Sequence, residues 1–208
     1  MGDRGAAVTA RGFLRHGSNA VLLAVIAGIA AAFATRTVAF SIGGALIGAL
    51  IFFTSEYTTH RFLFHAPPAR MRWVLALQHR LHYDHHVDPA KLELLFLPLW
   101  FTVPVTALYY GIYVAITRNP ALALSLTFGS LTALTYYEWV HYVAHVPFVP
   151  VTPFGRWMKK YHLWHHFKNE QLWFGVTNPS MDVLMRTYRH VQDAKRSESV
   201  RELWKPGL

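Results

Sequence analysis

Apolar positions along this chain gather into four runs, separated by short polar interruptions. The first extends from about Asn19 to Ala34 and is broken by Thr35-Arg36-Thr37. The second covers Val38 to Phe53, with Gly44 and Gly48 spaced for close contact between helices. Both are short against the roughly 20 residues of a spanning helix, so they read as a tight hairpin that crosses with help from its flanks or penetrates partly. The third run, Leu92 to Ile116, is long enough to span and contains Pro98 and Pro104, which predict a kink. "TRNP" (117–120) predicts a short turn, and the fourth run covers Ala121 to Trp139. The expected fold is an all-α integral membrane protein with about four transmembrane helices. The expected boundaries are an N-terminal cytoplasmic tail (1–18), a membrane-embedded domain (19–190) and a C-terminal cytoplasmic tail (191–208).

Charge gives that pattern a direction. The chain of 208 residues carries 20 Lys and Arg against 11 Asp and Glu, with only 15% charged residues and 53% hydrophobic ones. Four crossings put both termini, the stretch between the second and third runs, and everything after the fourth run on one side. Only Arg36 and Arg118 then lie opposite, so 20 minus 2 leaves 18 cations on the shared side, which the positive-inside rule makes cytoplasmic. The basic residues fall between apolar runs and form no single tract, which points to anionic lipid and away from nucleic acid. Arg4, Arg11 and Arg15 before the first run imitate a secretion signal, but the second run follows at once, so the first reads as a retained anchor.

The histidines change the picture most. "HRLHYDHH" (79–86) holds four of the chain's 13, and "HRFLFH" (60–65), "HYVAH" (141–145) and "HLWHH" (162–166) hold seven more. The four-span topology places all these clusters at one membrane face. His82, His85 and His86 have i, i+3, i+4 spacing, as do His162, His165 and His166, while His141 and His145 are i and i+4, so each set shares a helical face. His60 and His65, at i and i+5, either reach different ions or sit where the helix loosens. Ten imidazoles exceed what one ion can bind, and a dinuclear centre on a helical cap at the cytoplasmic face is the economical reading. The absence of cysteine rules out thiolate ligands. His79 falls on the arc of the second cluster as a further ligand or a supporting partner, and His16 and His190 fit no pattern. Glu56, Asp84 and Glu138 lie close enough in sequence to accept the outer N–H of a metal-bound imidazole, or else to serve as ordinary helix-end charges. Imidazole suits several metals, and redox chemistry would require iron or copper over zinc.

The order HxxxxH, HxxHH, HxxxH, HxxHH between paired apolar runs resembles the fatty acid hydroxylase superfamily, also called the sterol desaturase family. The resemblance covers roughly Glu56 to Tyr188. "YEWVHYVAH", "HLWHHF" and "FGVTNPSMD" (174–182) are most similar to the fatty acid 2-hydroxylase branch, although Met181 stands where many members have Trp before the late aspartate. The resemblance implies a non-haem di-iron membrane enzyme that uses O2 and electrons to hydroxylate or desaturate lipids. Its two iron ions would be held by His60, His65, His82, His85, His86, His141, His145, His162, His165 and His166, with zinc able to substitute in purified protein. Some relatives carry a fused cytochrome b5 domain for which this chain has no room, so a separate ferredoxin or cytochrome donor is expected.

The implied substrate is a membrane lipid or acyl chain, with Phe64, Trp73, Trp100, Tyr137, Trp139, Trp164, Trp173 and Phe174 as candidate lining or interfacial belt. Arg156, Lys159 and Lys160 are candidates for docking an acidic donor. The alternatives are a carotenoid or sterol hydroxylase or desaturase of the same superfamily, or a His-rich membrane metal-binding or transport protein. The last is disfavoured because the apolar runs, away from their ends, hold no ionisable residue of the kind a transport path needs.

Overall fold

The structure is a computed structural model that describes residues 10–203, and among them every regular element is helical. In chain order these are α1 (Gly17–Ala34), α2 (Ile42–Thr59), the π-helical turn π1 (His60–Phe64), α3 (Arg72–Gln78), the π-helical turn π2 (His79–Tyr83), α4 (Asp84–Val87), α5 (Leu92–Leu95), α6 (Leu99–Thr117), α7 (Pro120–His145), α8 (Pro153–Phe167) and α9 (Ser180–Leu184). Contacts divide the chain into two compact units. One comprises Ser55–Phe96 with the chain from Trp139 onward, and the other comprises Ala10–Thr54 with Leu97–Glu138.

The unit of 10–54 and 97–138 holds the apolar runs. Among the described residues two segments are long and apolar enough to cross a membrane: Gly17–Ala34 in this unit, and Leu92–Thr117, which lies in it from Leu97 onward. Pro98 starts α6 as its N-cap after an extended Phe96, so of the two prolines only Pro104 lies inside a helix. The polar interruptions fold as compact ends: Arg36 and Arg118 take left-handed backbone conformations with φ of 59° and 51°. Asn119 then caps α7 by accepting from the N–H groups of Ala121 and Leu122 at 3.1 Å, ahead of Pro120 in the first turn.

α2 and α7 touch backbone to backbone in this unit. A Cβ on Gly48 would stand 1.9 Å from the Leu126 carbonyl oxygen, and one on Gly129 would stand 1.8 Å from that of Ala45. The Ser130 hydroxyl bridges the contact by donating to Gly48 O at 2.9 Å. Four more hydroxyls of α7, on Ser125, Thr127, Thr132 and Thr135, donate to the carbonyl four residues earlier. These groups lower the hydropathy of α7 yet are internally satisfied, which lets a helix be polar by composition and dry in its surroundings. Ile42, Leu46, Ile47 and Leu50 on α2 are all more than half exposed, and Val103, Leu108, Ile112 and Ile116 on α6 are exposed as well.

The other unit carries all four histidine clusters. Its apolar core is Met158, Tyr161, Trp173 and Ala194, with Trp157, Trp164 and Tyr188 packed against it. Thr152 caps α8 by accepting from Gly155 N at 3.0 Å, with Pro153 in the first turn. Lys159 on α8 donates from Nζ to the carbonyls of Val143, Val146 and Phe148 at 2.9, 2.6 and 2.9 Å, which satisfies carbonyls at and just beyond the C-terminal end of α7. The stretch expected as a C-terminal tail is part of this unit as far as residue 203, with Ala194 in the core and Val200 only 5% exposed. Residues 1–9 and 204–208 of the two expected tails lie outside the described residues.

Candidate metal centre

Ten histidines converge in this unit as two groups of five. One group is His60, His65, His82, His86 and His165, and the other is His85, His141, His145, His162 and His166. In each, one nitrogen per ring lies within 4.8 Å of all the others. The groups are built on one plan. Each takes one complete pair (60/65 or 141/145), the i, i+4 pair of one HxxHH cluster (82/86 or 162/166), and the middle histidine of the other cluster (165 or 85). The clusters at 82–86 and 162–166 therefore exchange one imidazole each, and His86 stacks on His166 where the groups meet, with centroids 4.1 Å apart and planes 20° apart.

The helices loosen where this gathering requires it. His65 N donates to His60 O at 3.0 Å, the i→i+5 bond of a π-helix, so residues five apart come to a common side. His60 and His65 accordingly belong to one group and not to two. π2 likewise contains His82, ahead of His85 and His86 on α4.

The ring nitrogens meet as lone pairs. His60, His86 and His165 donate from Nδ1 to the carbonyls of Phe174 (2.5 Å), Val200 (2.9 Å) and Leu172 (2.8 Å). A neutral imidazole that donates at Nδ1 keeps only a lone pair at Nε2. Burial pushes His60 down to about 4 and holds His65, His82, His86 and His165 well below the usual pKa, with neighbouring imidazoles adding to the effect for the latter four. The rings are thus neutral near pH 7, and at least three of the five aim an acceptor at the same point.

Nε2–Nε2 separations in this group are 3.1 Å (60–82), 2.8 Å (82–65) and 3.0 Å (165–65). In the other group they are 3.0 Å (141–85) and 2.9 Å (162–145). Metal–imidazole bonds of about 2.1 Å at right angles put neighbouring nitrogens about 3.0 Å apart, whereas a tetrahedron of the same bonds needs about 3.4 Å. The residues fit a cation with five nitrogen ligands in each group, and converging lone pairs of this kind repel one another unless a cation lies between them.

The carboxylates do other work. Glu56 accepts from Val176 N and Thr177 N at 2.7 and 3.0 Å with Oε1, and from the Thr177 hydroxyl at 2.5 Å with Oε2. Asp182 accepts from Phe174 N and Gly175 N at 2.8 and 2.7 Å, and from the Thr187 hydroxyl at 2.7 Å. Four successive backbone N–H groups, 174 to 177, are therefore held by two buried carboxylates, and the turn so fixed presents the Phe174 carbonyl to His60. Trp173, at φ 59° and fully buried, leads into it. Asp84 pairs with His79 at 2.8 Å, both partly exposed and in neither group, and Glu138 accepts from Leu97 N at 3.1 Å. The outer partners of His60, His86 and His165 are backbone carbonyls, which no side-chain signal announces.

The candidate aromatics divide. Phe64 stacks on His82, and Phe174 lies against His60, His65 and His165 with centroids 5.7, 5.2 and 5.4 Å away. Trp164 and Trp173 belong to the core, Trp73 and Trp100 are exposed, Tyr137 packs on Phe52, and Trp139 packs on Tyr142. Of the three cations considered for docking a donor, Lys159 is taken up by its three carbonyls and Arg156 donates to the carbonyls of Pro150 and Val151. Lys160 is exposed.

The fatty acid hydroxylase family model matches residues 45–187. A dihydroceramide fatty acyl 2-hydroxylase of Arabidopsis thaliana, FAH2, is 31% identical over 150 residues, 72% of this chain and 62% of that protein. The ceramide very long chain fatty acid hydroxylase SCS7 of Saccharomyces cerevisiae is 34% identical over 147 residues, 68% of this chain and 37% of that protein. This chain thus spans less than two thirds of either relative. The solved structure described as full-length scs7p, with only its hydroxylase domain visible, superposes with a TM-score of 0.75 at 30% identity, over 86% of this chain and 67% of that one. The family match covers more than half of the chain and includes all ten converging histidines, so the chain belongs to the fatty acid hydroxylase family.

Proposed function

We propose that this chain is a membrane-bound, O2-dependent di-iron hydroxylase of a fatty-acyl chain, acting in the manner of the 2-hydroxylases it resembles. His60, His65, His82, His86 and His165 hold one ion, and His85, His141, His145, His162 and His166 hold the other. The observation that carries this reading is the convergence of neutral imidazole lone pairs in two five-nitrogen sets. Iron in both sets supplies the activation of O2: one oxygen atom enters a C–H bond and the other leaves as water, with two electrons and two protons from outside.

The protein's own part is to hold, orient and keep dry. Eight of the ten histidines are at most 3% exposed, His65 and His145 being half-buried, and Phe64 and Phe174 present apolar faces to the rings. The same arrangement keeps an acyl chain against the site with water excluded. The four apolar runs cross the bilayer and set the histidine clusters and both termini on the cytoplasmic side. The exposed aliphatic faces of α2 and α6 support this, as does the internally satisfied hydroxyl ladder of α7. The electrons come from a separate ferredoxin or cytochrome.

The test is mass spectrometry of total lipids from a host that expresses this chain with an electron donor, against the double variant His165→Ala, His166→Ala. The expected product is an acyl lipid heavier by one oxygen at carbon 2 and absent from the variant. A mass lower by two hydrogens would make the enzyme a desaturase. Oxygen on a ring would move the substrate to sterols or carotenoids, and identical lipidomes in a host with a working donor would overturn the reading.

A further inference from the structure

The two histidine groups are alike in plan and unlike in support. In the first, three imidazoles donate to backbone carbonyls. In the second, among the described residues, Nδ1 of His85, Nδ1 of His162 and both nitrogens of His166 are buried without a hydrogen-bond partner. Outer hydrogen bonds fix ring orientation and raise ligand basicity, and their loss lowers metal affinity about 10–100-fold.

One of the three supports comes from an unexpected place. Val200 O, on His86, belongs to the segment 195–201, which is fastened on both flanks. Ser197 and Ser199 both donate their hydroxyls to Glu170 Oε1, at 2.9 and 2.8 Å, and Glu170 is only 4% exposed. Ser197 N donates to Lys168 O at 2.8 Å, and Asn169 Nδ2 donates to Lys195 O at 3.1 Å. Beyond Val200, Arg201 donates to Val87 O, the residue after His86, at 2.6 Å. Lys168, Asn169 and Glu170 in turn lie two to four residues after His166. The strap therefore ties the ends of two ligand-bearing helices, α4 and α8, to one carbonyl that aims one imidazole.

We infer that the segment 195–201 is a positioning strap for the first histidine group, and that it makes the two metal sites unequal, the first binding its ion more tightly than the second. The inference rests on the reading of the ten histidines as ligands in two sets. Ser197, Ser199 and Glu170 act through Val200 O on His86 and touch neither ion nor substrate.

The test is titration of the metal-free full-length protein in detergent with Co2+, followed by its visible absorption bands. Two ions bind, with affinities separated by at least about tenfold. The double variant Ser197→Ala, Ser199→Ala weakens the tighter step about 10–100-fold and leaves the weaker one where it was. Glu170→Gln keeps the acceptor for both hydroxyls, so it retains the tighter step and shows that the segment still folds. Two equal steps in the parent protein, an unchanged tight step in the double variant, or equal weakening of both steps would overturn the strap while the ligand reading stands. Binding of no Co2+ by the parent would overturn both.

Discussion

Gly175 has no room for a side chain: a Cβ there would stand 2.1 Å from Asn178 O and 2.9 Å from Asp182 Oδ2. Its N–H goes to the same carboxylate, so Gly175→Ala forces apart the turn that holds Phe174 O against His60. The expected loss is at least about 2 kcal/mol, the upper part of the range for overpacking, read as a lower thermal unfolding midpoint in detergent. Glu56 tests the same turn from the other side. Glu56→Ala leaves the N–H groups of Val176 and Thr177 buried without an acceptor, at about 1–3 kcal/mol each, whereas Glu56→Gln keeps an oxygen for them and loses much less. Equal midpoints for the two variants would show that the turn does not depend on this acceptor. Sequence proximity suggests that Glu56 serves His60, four residues on, yet its partners are 120 and 121 positions away. Carbonyl acceptors such as Leu172, Phe174 and Val200 were equally illegible, because every residue carries one.

The elements were legible wherever local geometry alone decides. Helical spacing predicts that 82, 85 and 86 share a face, and they do; it cannot tell that His85 and His165 join the opposite group from their neighbours, because that depends on how α4 and α8 meet. The i, i+5 spacing of His60 and His65 was a visible anomaly, and a π-helical turn resolves it. Glycine spacing was readable too, since Gly48 does meet another helix, although its partner Gly129 gave no comparable signal. Substituting these glycines separates packing from propensity. Gly48→Leu and Gly129→Leu drive a side chain into a facing backbone and should abolish folding of the unit, read as loss of monodisperse protein after extraction. Gly28→Ala and Gly111→Ala, where a Cβ meets nothing within 4 Å, should leave yield and midpoint unchanged or raised. Should Gly129→Leu extract like the parent, the α2–α7 contact is not what holds that unit together.

At the scale of the whole molecule, hydropathy and charge give different amounts of information. Among the described residues two segments are apolar and long enough by composition, because Glu56 on α2 and the hydroxyls of α7 dilute the other two. The division of cations does not suffer that dilution: 18 of 20 fall on one side when the chain crosses at each of the four runs. The chain has no cysteine, so single introduced cysteines report topology without background. Arg36→Cys and Arg118→Cys place a thiol in each predicted outer loop, and by removing a cation there they sharpen the charge asymmetry. Arg70→Cys and Lys160→Cys place one at exposed positions of the unit that carries the histidines. A membrane-impermeant maleimide should label the first two in intact cells and the second two only in inverted vesicles. Labelling of Arg36→Cys and Arg118→Cys from opposite sides would leave one run uncrossed and put the two termini on different faces. Labelling of all four from the cytoplasmic side would make both hairpins re-entrant, and an acyl substrate would then have to reach the histidines from one leaflet only.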